Sequence, residues 1–307
     1  MTAGNSSISV VIPVYNGERF VAEAIRSALG QTVAPQEIIV VDDASTDRTG
    51  EIIRQEFAPQ LERGAVRYAR NERNRERSFS RNEGVRLARG EYVFFLDYDD
   101  LWEPDYLETV MGVLGQDGAD LVYSFPRTFV DEQGRIIRST TKRISADTAE
   151  LVFASQVGYP SATALKRDSF PGYAEDCILR EDWEIFLRAQ LSGLRIRILD
   201  RDQVRMRAHG ERSSRSAKFW RSTLRVHEQY RARIPLQYRG LFLYHVADIC
   251  LRYGDLRRGW RLTLQSLMGG ALPDLRMVHR LLTRGMRLDR FVSLAAERRR
   301  LLEGDTP

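Results

Sequence analysis

Short, almost wholly apolar runs recur in the first third of the chain, and each is followed by polar residues. Residues 8–14, 37–41 and 92–96 are such runs, and β-branched or aromatic side chains dominate them. Runs of this kind are typical of strands that are covered on both faces in a parallel sheet. Three further strands are predicted at residues 66–69, 121–125 and 195–199.

Segments between these runs carry apolar residues at helical spacing. The first stripe consists of Phe20, Val21, Ala24, Ile25, Ala28 and Leu29, which share one face of a helix. Further helices are predicted at residues 49–57, 80–88, 106–114 and 181–191. This alternation predicts an α/β fold with a mostly parallel, Rossmann-like sheet, and in such sheets ligands bind beyond the carboxyl ends of the strands.

The pattern changes in the later part of the chain. A polar, glycine-containing excursion occupies residues 131–138, and after residue 210 the apolar spacing is helical throughout. Glycine, proline and aspartate separate the helical segments, which are predicted at residues 219–230, 241–253, 256–267, 275–282 and 291–302. We therefore predict a boundary that divides an α/β domain, residues 1–215, from a basic α-helical extension, residues 216–307.

Composition agrees with a globular protein. Of the 307 residues, 43% are hydrophobic and 29% are charged, whereas disordered chains contain fewer apolar residues. No run reaches the roughly 18 to 20 apolar residues that span a bilayer, and residues 1–5 do not resemble a signal peptide, so a cytoplasmic location is expected. Cys177 and Cys250 lack metal-ligand spacing and are expected to be buried thiols.

Charge is distributed unevenly along the chain. The net charge is +5, but residues 195–307 hold 25 Lys and Arg against 11 Asp and Glu, while residues 1–194 hold 22 against 31. A basic C-terminal part can attract phosphates, anionic lipid headgroups or nucleic acid, or it can be a solvated surface. Clustered carboxylates in the acidic part indicate a cation site.

Two acidic clusters directly follow predicted strands. Asp97, Asp99 and Asp100 follow the strand at residues 92–96, and their mutual repulsion would be relieved by Mg²⁺ or Mn²⁺, which bind carboxylate and phosphate oxygens. The alternative is that Asp100 caps the N-terminus of a helix.

The second cluster, Asp42 and Asp43 with Ser45 and Asp47, follows the strand at residues 37–41. A carboxylate there can accept hydrogen bonds from a nucleotide base or ribose, so this cluster is a candidate nucleotide site. The alternative is a polar loop that caps the helix beginning near Thr49.

Together these segments resemble the family 2 glycosyltransferases. Five segments carry the resemblance, in this order: VIPVYN at residues 11–16, VDDASTD at 41–47, SRNEG at 80–84 followed by GEY at 90–92, LDYDD at 96–100 followed by Trp102 and Pro104, and EDW at 181–183. The resemblance covers about residues 8–210 and is specific because the five segments occur in combination.

The resemblance implies a GT-A fold and inversion of the anomeric carbon of a nucleotide-activated sugar. It implies that Pro13, Val14 and Tyr15 form the floor of the nucleotide site and that Asp43 reads the base. Asp97 and Asp99 match the outer positions of the DxD motif, with Asp99 as the direct metal ligand and Asp97 nearer the ribose or the waters of the metal. Asp182 matches the general base, which Glu181 would support.

Several other residues keep two interpretations. Arg81, together with Arg73, Arg75 and Arg77, could contact phosphate or belong to a solvated loop. His209 could lie near the diphosphate or the metal, or be a structural histidine. Trp102 and Trp183 could stack on an acceptor sugar, but their helical spacing favours packing.

The predicted function is transfer of a single sugar from a nucleoside diphosphate sugar, most simply UDP-linked, to a hydroxyl acceptor in cell-surface polysaccharide or glycolipid synthesis. The QxxRW signature of processive synthases is absent after residue 182, which favours single transfer. The acceptor is expected to be a saccharide or a lipid-linked saccharide.

The sequence also predicts binding partners and leaves two rival functions open. The C-terminal helices are expected to contact the membrane surface peripherally, or else to form a homodimer, and nucleic acid is not an expected partner. The rival functions are a nucleotidyltransferase, which would attack phosphorus and need no base at Asp182, and a non-catalytic module that binds nucleotide sugars or glycans.

Overall fold

The computed structural model describes residues 7–141, 144–208 and 216–269. These residues form two compact units. The first contains residues 7–141, 157–176 and 188–208, and the second contains residues 145–156, 177–187 and 216–269. The division of the chain at residue 215 stays a prediction.

The first unit is built on a seven-stranded sheet. Its strands are β1 (Ile8–Val14), β2 (Glu37–Asp42), β3 (Val66–Arg70), β4 (Tyr92–Phe95), β6 (Leu121–Ser124), β9 (Thr163–Lys166) and β10 (Ile196–Leu199), and their order in the sheet is β10-β6-β9-β4-β1-β2-β3. Every pair is parallel except those that β9 makes with β4 and β6. The predicted mostly parallel α/β sheet is therefore confirmed.

Burial explains why the sequence located the central strands well. All seven residues of β1 and all six of β2 are buried, so both faces select apolar side chains and the run is continuous. Strand β9 was not predicted, because its sequence TALK contains no continuous apolar run. It is nevertheless central, since it joins β4 to β6.

Five helices of the first unit connect these strands. They are α1 (Val21–Leu29), α2 (Thr49–Glu56), α3 (Ala58–Glu62), α4 (Glu76–Leu87) and α5 (Tyr106–Gln116). Helix α4 approaches β1 so closely that a Cβ at Gly84 would lie 2.2 Å from a methyl carbon of Val11. The glycine of the SRNEG segment is therefore required by helix–sheet packing.

A smaller second sheet lies in the same unit. Its strands are β5 (Leu101–Trp102), β7 (Thr128–Val130), β8 (Ile136–Ser139) and β11 (Val204–Arg207), in the order β5-β11-β7-β8. The polar excursion at residues 131–138 thus includes the turn of a β-hairpin and most of β8. All four residues of β8 are exposed, and its only apolar residues are the adjacent Ile136 and Ile137, so it shows no alternation of buried and exposed positions.

The second unit is helical. It contains α6 (Thr148–Phe153), the first seven residues of α7 (Glu181–Leu191), and α8 (Ala217–Tyr230), α9 (Leu236–Arg252) and α10 (Leu256–Met268). The helices predicted at 219–230, 241–253 and 256–267 are therefore present, while those predicted at 275–282 and 291–302 lie outside the described residues. Within the described part of the chain, no helix is both long and apolar enough to cross a membrane.

Cys177 and Cys250 are buried thiols and not a disulfide, as predicted. Burial, with the nearby charge of Glu181, raises the pKa of the Cys177 thiol to about 12. A thiol with such a pKa is protonated at neutral pH and is a poor nucleophile.

Candidate functional site

Asp43 lies at the carboxyl edge of the sheet, directly after β2. Its backbone N–H donates to Val14 O at 2.8 Å, which ties it to the end of β1. Its carboxylate accepts hydrogen bonds from Asn71 Nδ2 at 2.7 Å and from Arg75 N at 3.0 Å. The side chain is 3% exposed, so its orientation is set by the protein before any ligand binds.

Asp42 has a different role from its neighbour. It is fully buried, and its carboxylate accepts hydrogen bonds from Ser45 N at 2.7 Å, from the Tyr68 hydroxyl and from Arg70 Nη1 at 2.9 Å. Burial, followed by the hydrogen bond to Asp42, raises the pKa of Tyr68. With these partners Asp42 shapes the loop, and Asp43 is the better candidate for a ligand contact.

The turn after β1 is held against this loop. Pro13 and Val14 are the last residues of β1, and Tyr15, 43% exposed, follows them. Asn16 has a φ of 50°, a conformation that asparagine adopts more readily than most residues, and its N–H donates to Ser45 Oγ at 2.9 Å. The exposed ring of Tyr15 is therefore presented beside the loop that carries Asp43.

Asp47 holds the turn before α2 but is not its N-cap, which is Arg48 without a side-chain hydrogen bond. Its Oδ1 accepts a hydrogen bond from Thr49 N at 3.0 Å, and its Oδ2 accepts one from Glu18 N at 3.1 Å. Burial acts to raise the pKa of Asp47, but these hydrogen bonds together lower it. Asp47 therefore fixes the turn between the 42–47 loop and α2.

Asp100, the last carboxylate of the LDYDD segment, is enclosed in the protein. It is 2% exposed, its Oδ2 accepts a hydrogen bond from Ser161 Oγ at 2.6 Å, and its Oδ1 accepts one from Arg207 N at 2.8 Å. Burial and the charges of Asp99 and Asp97 raise its pKa well above the usual range, against the effect of these hydrogen bonds. Asp100 therefore anchors the loop and leaves Asp97 and Asp99 nearer its surface.

Two distant residues hold this acidic loop. Besides contacting Asp100, Ser161 Oγ accepts a hydrogen bond from Asp97 N at 2.9 Å. The Arg207 side chain, 1% exposed, donates through Nε to Asp99 O at 3.0 Å and through Nη2 to Glu23 Oε2 at 2.7 Å. Sequence reasoning missed both residues, because a single serine and a single arginine outside any motif give no signal.

Asp97 pairs with Arg81, which joins the DxD segment to the SRNEG segment. Arg81 Nη2 donates to Asp97 Oδ1 at 2.7 Å, and the side chains are 1% and 24% exposed. The Arg81 guanidinium also lies over the ring of Tyr173, 5.2 Å from its centroid. Arg81 is therefore part of the structured site and not of a solvated loop.

Tyr98 lies between the two outer carboxylates of the DxD segment. Burial, followed by the charges of Asp99 and Asp97, raises its pKa to about 12. A Cβ at Gly17 would come within 2.7 Å of the Tyr98 ring, so the turn after β1 packs directly on this residue. Tyr98, the bulky middle residue of the DxD segment, therefore packs the turn after β1 against the acidic loop.

Asp97 and Asp99 match the oxygen chemistry of Mg²⁺ or Mn²⁺. Within the described residues, no group of three Asp, Glu, His or Cys side chains could hold a metal by itself. Two carboxylates suffice where substrate phosphates and water complete the coordination shell. The residues therefore fit a metal that arrives with a diphosphate ligand. His209, the third predicted metal contact, lies outside the described residues.

Asp182 and Glu181 begin helix α7, in the second unit. Asp182 is partly exposed, and its Oδ1 accepts a hydrogen bond from Trp183 N at 2.7 Å, while Glu181 is 3% exposed. Trp183 is fully buried, and its Nε1 donates to Val152 O at 2.8 Å. Trp183 is thus a packing residue, and the reachable carboxylate of this segment is Asp182.

Trp102 is also a packing residue. It is 5% exposed, its Nε1 donates to Ser161 O at 2.7 Å, and its ring centroid lies 4.7 Å from that of Tyr106. The favoured packing interpretation is therefore correct for both tryptophans, but the predicted helical position is wrong for Trp102, which lies in strand β5.

Replacing Ser161 with alanine is expected to loosen the acidic loop. Ser161→Ala removes one acceptor for Asp97 N and one donor to Asp100, and buried groups that lose their partners cost about 1–3 kcal/mol each. Urea unfolding should show this loss of stability. Ser169→Ala, which removes a longer hydrogen bond of 3.2 Å to Asp120 in a less buried place, should cost less. Equal losses in the two variants would contradict the anchoring role.

This chain matches one protein family and is similar to several known proteins. Residues 9–180 match the family described as "Glycosyl transferase family 2". Glycosyltransferase GlyG of Streptococcus pneumoniae is 36% identical over 115 residues, which cover 38% of this chain and 37% of GlyG. The chain thus spans well under half the length of this relative.

Two solved structures are similar in fold. S. aureus TarS 1–349 in complex with UDP-GlcNAc has a TM-score of 0.58 and 18% identity, covering 96% of this chain and 92% of TarS 1–349. The mannosyltransferase PcManGT from Pyrobaculum calidifontis, in complex with GDP-Man and Mn²⁺, has a TM-score of 0.62 and 18% identity, covering 97% and 88%. This likeness concerns the fold alone and confirms the predicted GT-A fold.

Proposed function

The chain belongs to glycosyl transferase family 2, and from this premise we propose that it moves one sugar from a UDP-linked donor to an acceptor hydroxyl, with inversion at the anomeric carbon. One observation carries the proposal. Strands β4, β1 and β2 are parallel neighbours in the sheet. The loop after β4 carries Asp97 and Asp99, the turn after β1 carries Tyr15, and the loop after β2 carries Asp43. This edge is where α/β sheets bind ligands.

The donor nucleotide is proposed to occupy the loops after β1 and β2. Asp43 is buried and held by Asn71 Nδ2 and Arg75 N, so its carboxylate is set in place to accept hydrogen bonds from the base. The exposed ring of Tyr15 offers an aromatic surface beside it. TarS 1–349 was solved with UDP and UDP-GlcNAc, which supports a UDP-linked donor here.

The diphosphate is proposed to be bound at Asp99 and Asp97 together with Mn²⁺ or Mg²⁺. When bound, the metal would supply positive charge that stabilises the departing nucleoside diphosphate. Arg81 keeps one oxygen of Asp97 occupied at 2.7 Å, which supports Asp99 as the direct ligand. PcManGT was solved with Mn²⁺ and a nucleotide sugar, which also supports a divalent metal.

Asp182 is proposed as the general base. A sugar hydroxyl is a weak nucleophile at neutral pH, so its proton must be removed during attack, and a positioned carboxylate contributes about 10²- to 10⁴-fold. Asp182 would take that proton on its carboxylate, and Glu181, buried beside it, would support its placement. Direct displacement by the hydroxyl inverts the anomeric carbon and needs no covalent intermediate on the protein.

The acceptor is proposed to be a saccharide or lipid-linked saccharide used in cell-surface glycan synthesis. Single transfer, a cytoplasmic location and a homodimer stay predictions. Each concerns properties of the whole protein, and the match with GlyG covers only 37% of that relative.

A donor screen tests the proposed function. Thermal unfolding of the chain is measured with UDP-GlcNAc, other UDP sugars, GDP-mannose and ATP, each with and without Mn²⁺. A donor at about 100 times its dissociation constant should stabilise the fold by about 2.7 kcal/mol, and we expect this only for a UDP sugar with Mn²⁺. Transfer to a hydroxyl acceptor should release UDP, and release of pyrophosphate instead would favour a nucleotidyltransferase.

A further inference from the structure

Helix α10 packs one face, made mostly of small residues, on α9 and leaves its more apolar face exposed. The packed face consists of Gly259, Leu262, Thr263 and Ser266. Ser266 Oγ donates to Gly240 O of α9 at 2.7 Å, and a Cβ at Gly259 would lie 2.6 Å from Leu251. This close packing fixes which side of α10 faces outward.

The outward face is a continuous apolar stripe. Its side chains are between 45% and 80% exposed: Leu256, Trp260, Leu264, Leu267 and Met268. Residues three or four positions apart lie on the same face of a helix, so these side chains form one strip and are not scattered single residues. Contiguous exposed apolar surface of this kind marks an interaction site.

Helix α9 also has an exposed apolar residue, at its start. Leu236, the first residue of α9, is 74% exposed. Gly240, one turn further along α9, contacts Ser266 near the end of α10. Leu236 therefore lies at the same end of the helix pair as Leu267 and Met268, and it adds a further exposed apolar side chain at that end.

Arginines border this stripe. Arg257 and Arg261 are exposed beside it, and α10 contains no acidic residue. Helices with tryptophan and leucine on one face and basic residues beside them lie in the interfacial plane of membranes. We propose that this face of α10 binds the surface of an anionic phospholipid bilayer, with the stripe among the acyl chains nearest the headgroups and the arginines on the lipid phosphates.

Charge favours this occupant over two others. A second copy of the chain would bring two arginine-bordered stripes together, and like charges in direct contact are unfavourable. Residues 270–307 contain eight Arg and five Asp and Glu, so this segment is basic too. Anionic lipid headgroups carry the opposite sign, and each basic residue near them adds to the attraction.

Trp260 provides a direct test. It is 47% exposed, whereas Trp102, Trp183 and Trp220 are at most 5% exposed, so it is the tryptophan that acrylamide should reach. We expect acrylamide quenching of the full chain to fall severalfold on addition of phosphatidylcholine vesicles containing about one third phosphatidylglycerol, and to be unchanged with phosphatidylcholine alone. Trp260→Phe should remove the quenchable signal.

Two variants separate the contributions of the stripe and of the arginines. Leu264→Glu should weaken co-sedimentation with the anionic vesicles at least about tenfold, because it places a charge in the inserted face. Arg257→Glu with Arg261→Glu should abolish the preference for phosphatidylglycerol. Ile136→Glu is the matched control, since Ile136 is 66% exposed on β8, and it should bind as the unaltered chain does.

Three outcomes would overturn the proposal. They are quenching that anionic vesicles leave unchanged, an equal response to pure phosphatidylcholine, and a Trp260 that is already shielded from acrylamide without vesicles. The last would mean that a second copy or residues 270–307 cover the stripe, and light scattering would tell these two apart. None of these measurements depends on sugar transfer, so this proposal and the proposed function can fail separately.

Discussion

Asp182→Asn is expected to lower the turnover of sugar transfer about 10²- to 10⁴-fold, the range that a positioned general base contributes. The amide has the size of the carboxylate but cannot accept the proton of the acceptor hydroxyl at neutral pH. Its oxygen can still accept the hydrogen bond from Trp183 N, which measures 2.7 Å with aspartate, so the start of α7 should be kept. The loss should therefore appear in kcat while the fold remains intact.

Donor binding provides the internal check on this variant. Stabilisation by a UDP sugar with Mn²⁺ should be the same in Asp182→Asn as in the unaltered chain, because no donor contact is removed. Glu228→Gln, at an exposed position on α8 in the same unit, is the matched control and should transfer normally. Full activity in Asp182→Asn would reject Asp182 as the base and would reopen the nucleotidyltransferase alternative.

Asp99→Asn is expected to remove metal-dependent donor binding and to lower transfer about 10³-fold or more. Metal stabilisation of developing charge is worth several kcal/mol, and each 1.36 kcal/mol corresponds to a factor of ten in rate. The two variants should differ in donor binding. In Asp99→Asn, Mn²⁺ should no longer increase the thermal stabilisation of the protein by a UDP sugar, whereas in Asp182→Asn it should. Isothermal titration with Mn²⁺ in the presence of UDP measures the same loss directly.

Variants of two neighbouring acids serve as comparisons for Asp99→Asn. Asp105→Asn changes an exposed acid of the same region and should leave Mn²⁺ dependence unchanged. Asp97→Asn should weaken donor binding and also destabilise the fold, because it leaves the buried guanidinium of Arg81 without its charged partner at 2.7 Å. An Asp99→Asn variant that keeps its Mn²⁺ dependence would contradict the assignment of Asp99 as the direct ligand.

The predicted positions of the acidic loops were reliable for a physical reason. Strands β2 and β4 are buried along their length, so their apolar runs are unbroken, and the carboxylates that follow these runs mark the strand ends clearly. The start of α4 was placed four residues late, at Ser80 instead of Glu76. The first turn of this helix is polar and charged, so apolar spacing contains no signal for it.

The sequence could not show which of two adjacent aspartates anchors its loop. Asp42 and Asp43 are identical in the sequence, as are Asp99 and Asp100, yet one member of each pair is an internal anchor. The difference comes from partners far away in the chain, Tyr68 and Arg70 for Asp42, and Ser161 and Arg207 for Asp100.

The alternation of strands and helices, the acidic loops after β2 and β4, and the family of the chain could all be predicted from the order of its residues. These features are local, because burial and strand ends leave their pattern in consecutive residues. Three features became apparent only in the folded chain: antiparallel β9 joins the two parts of the sheet, Arg207 holds the acidic loop after β4, and an apolar face of α10 is exposed. Each of these depends on contacts between distant segments, and such contacts require no particular pattern along the chain.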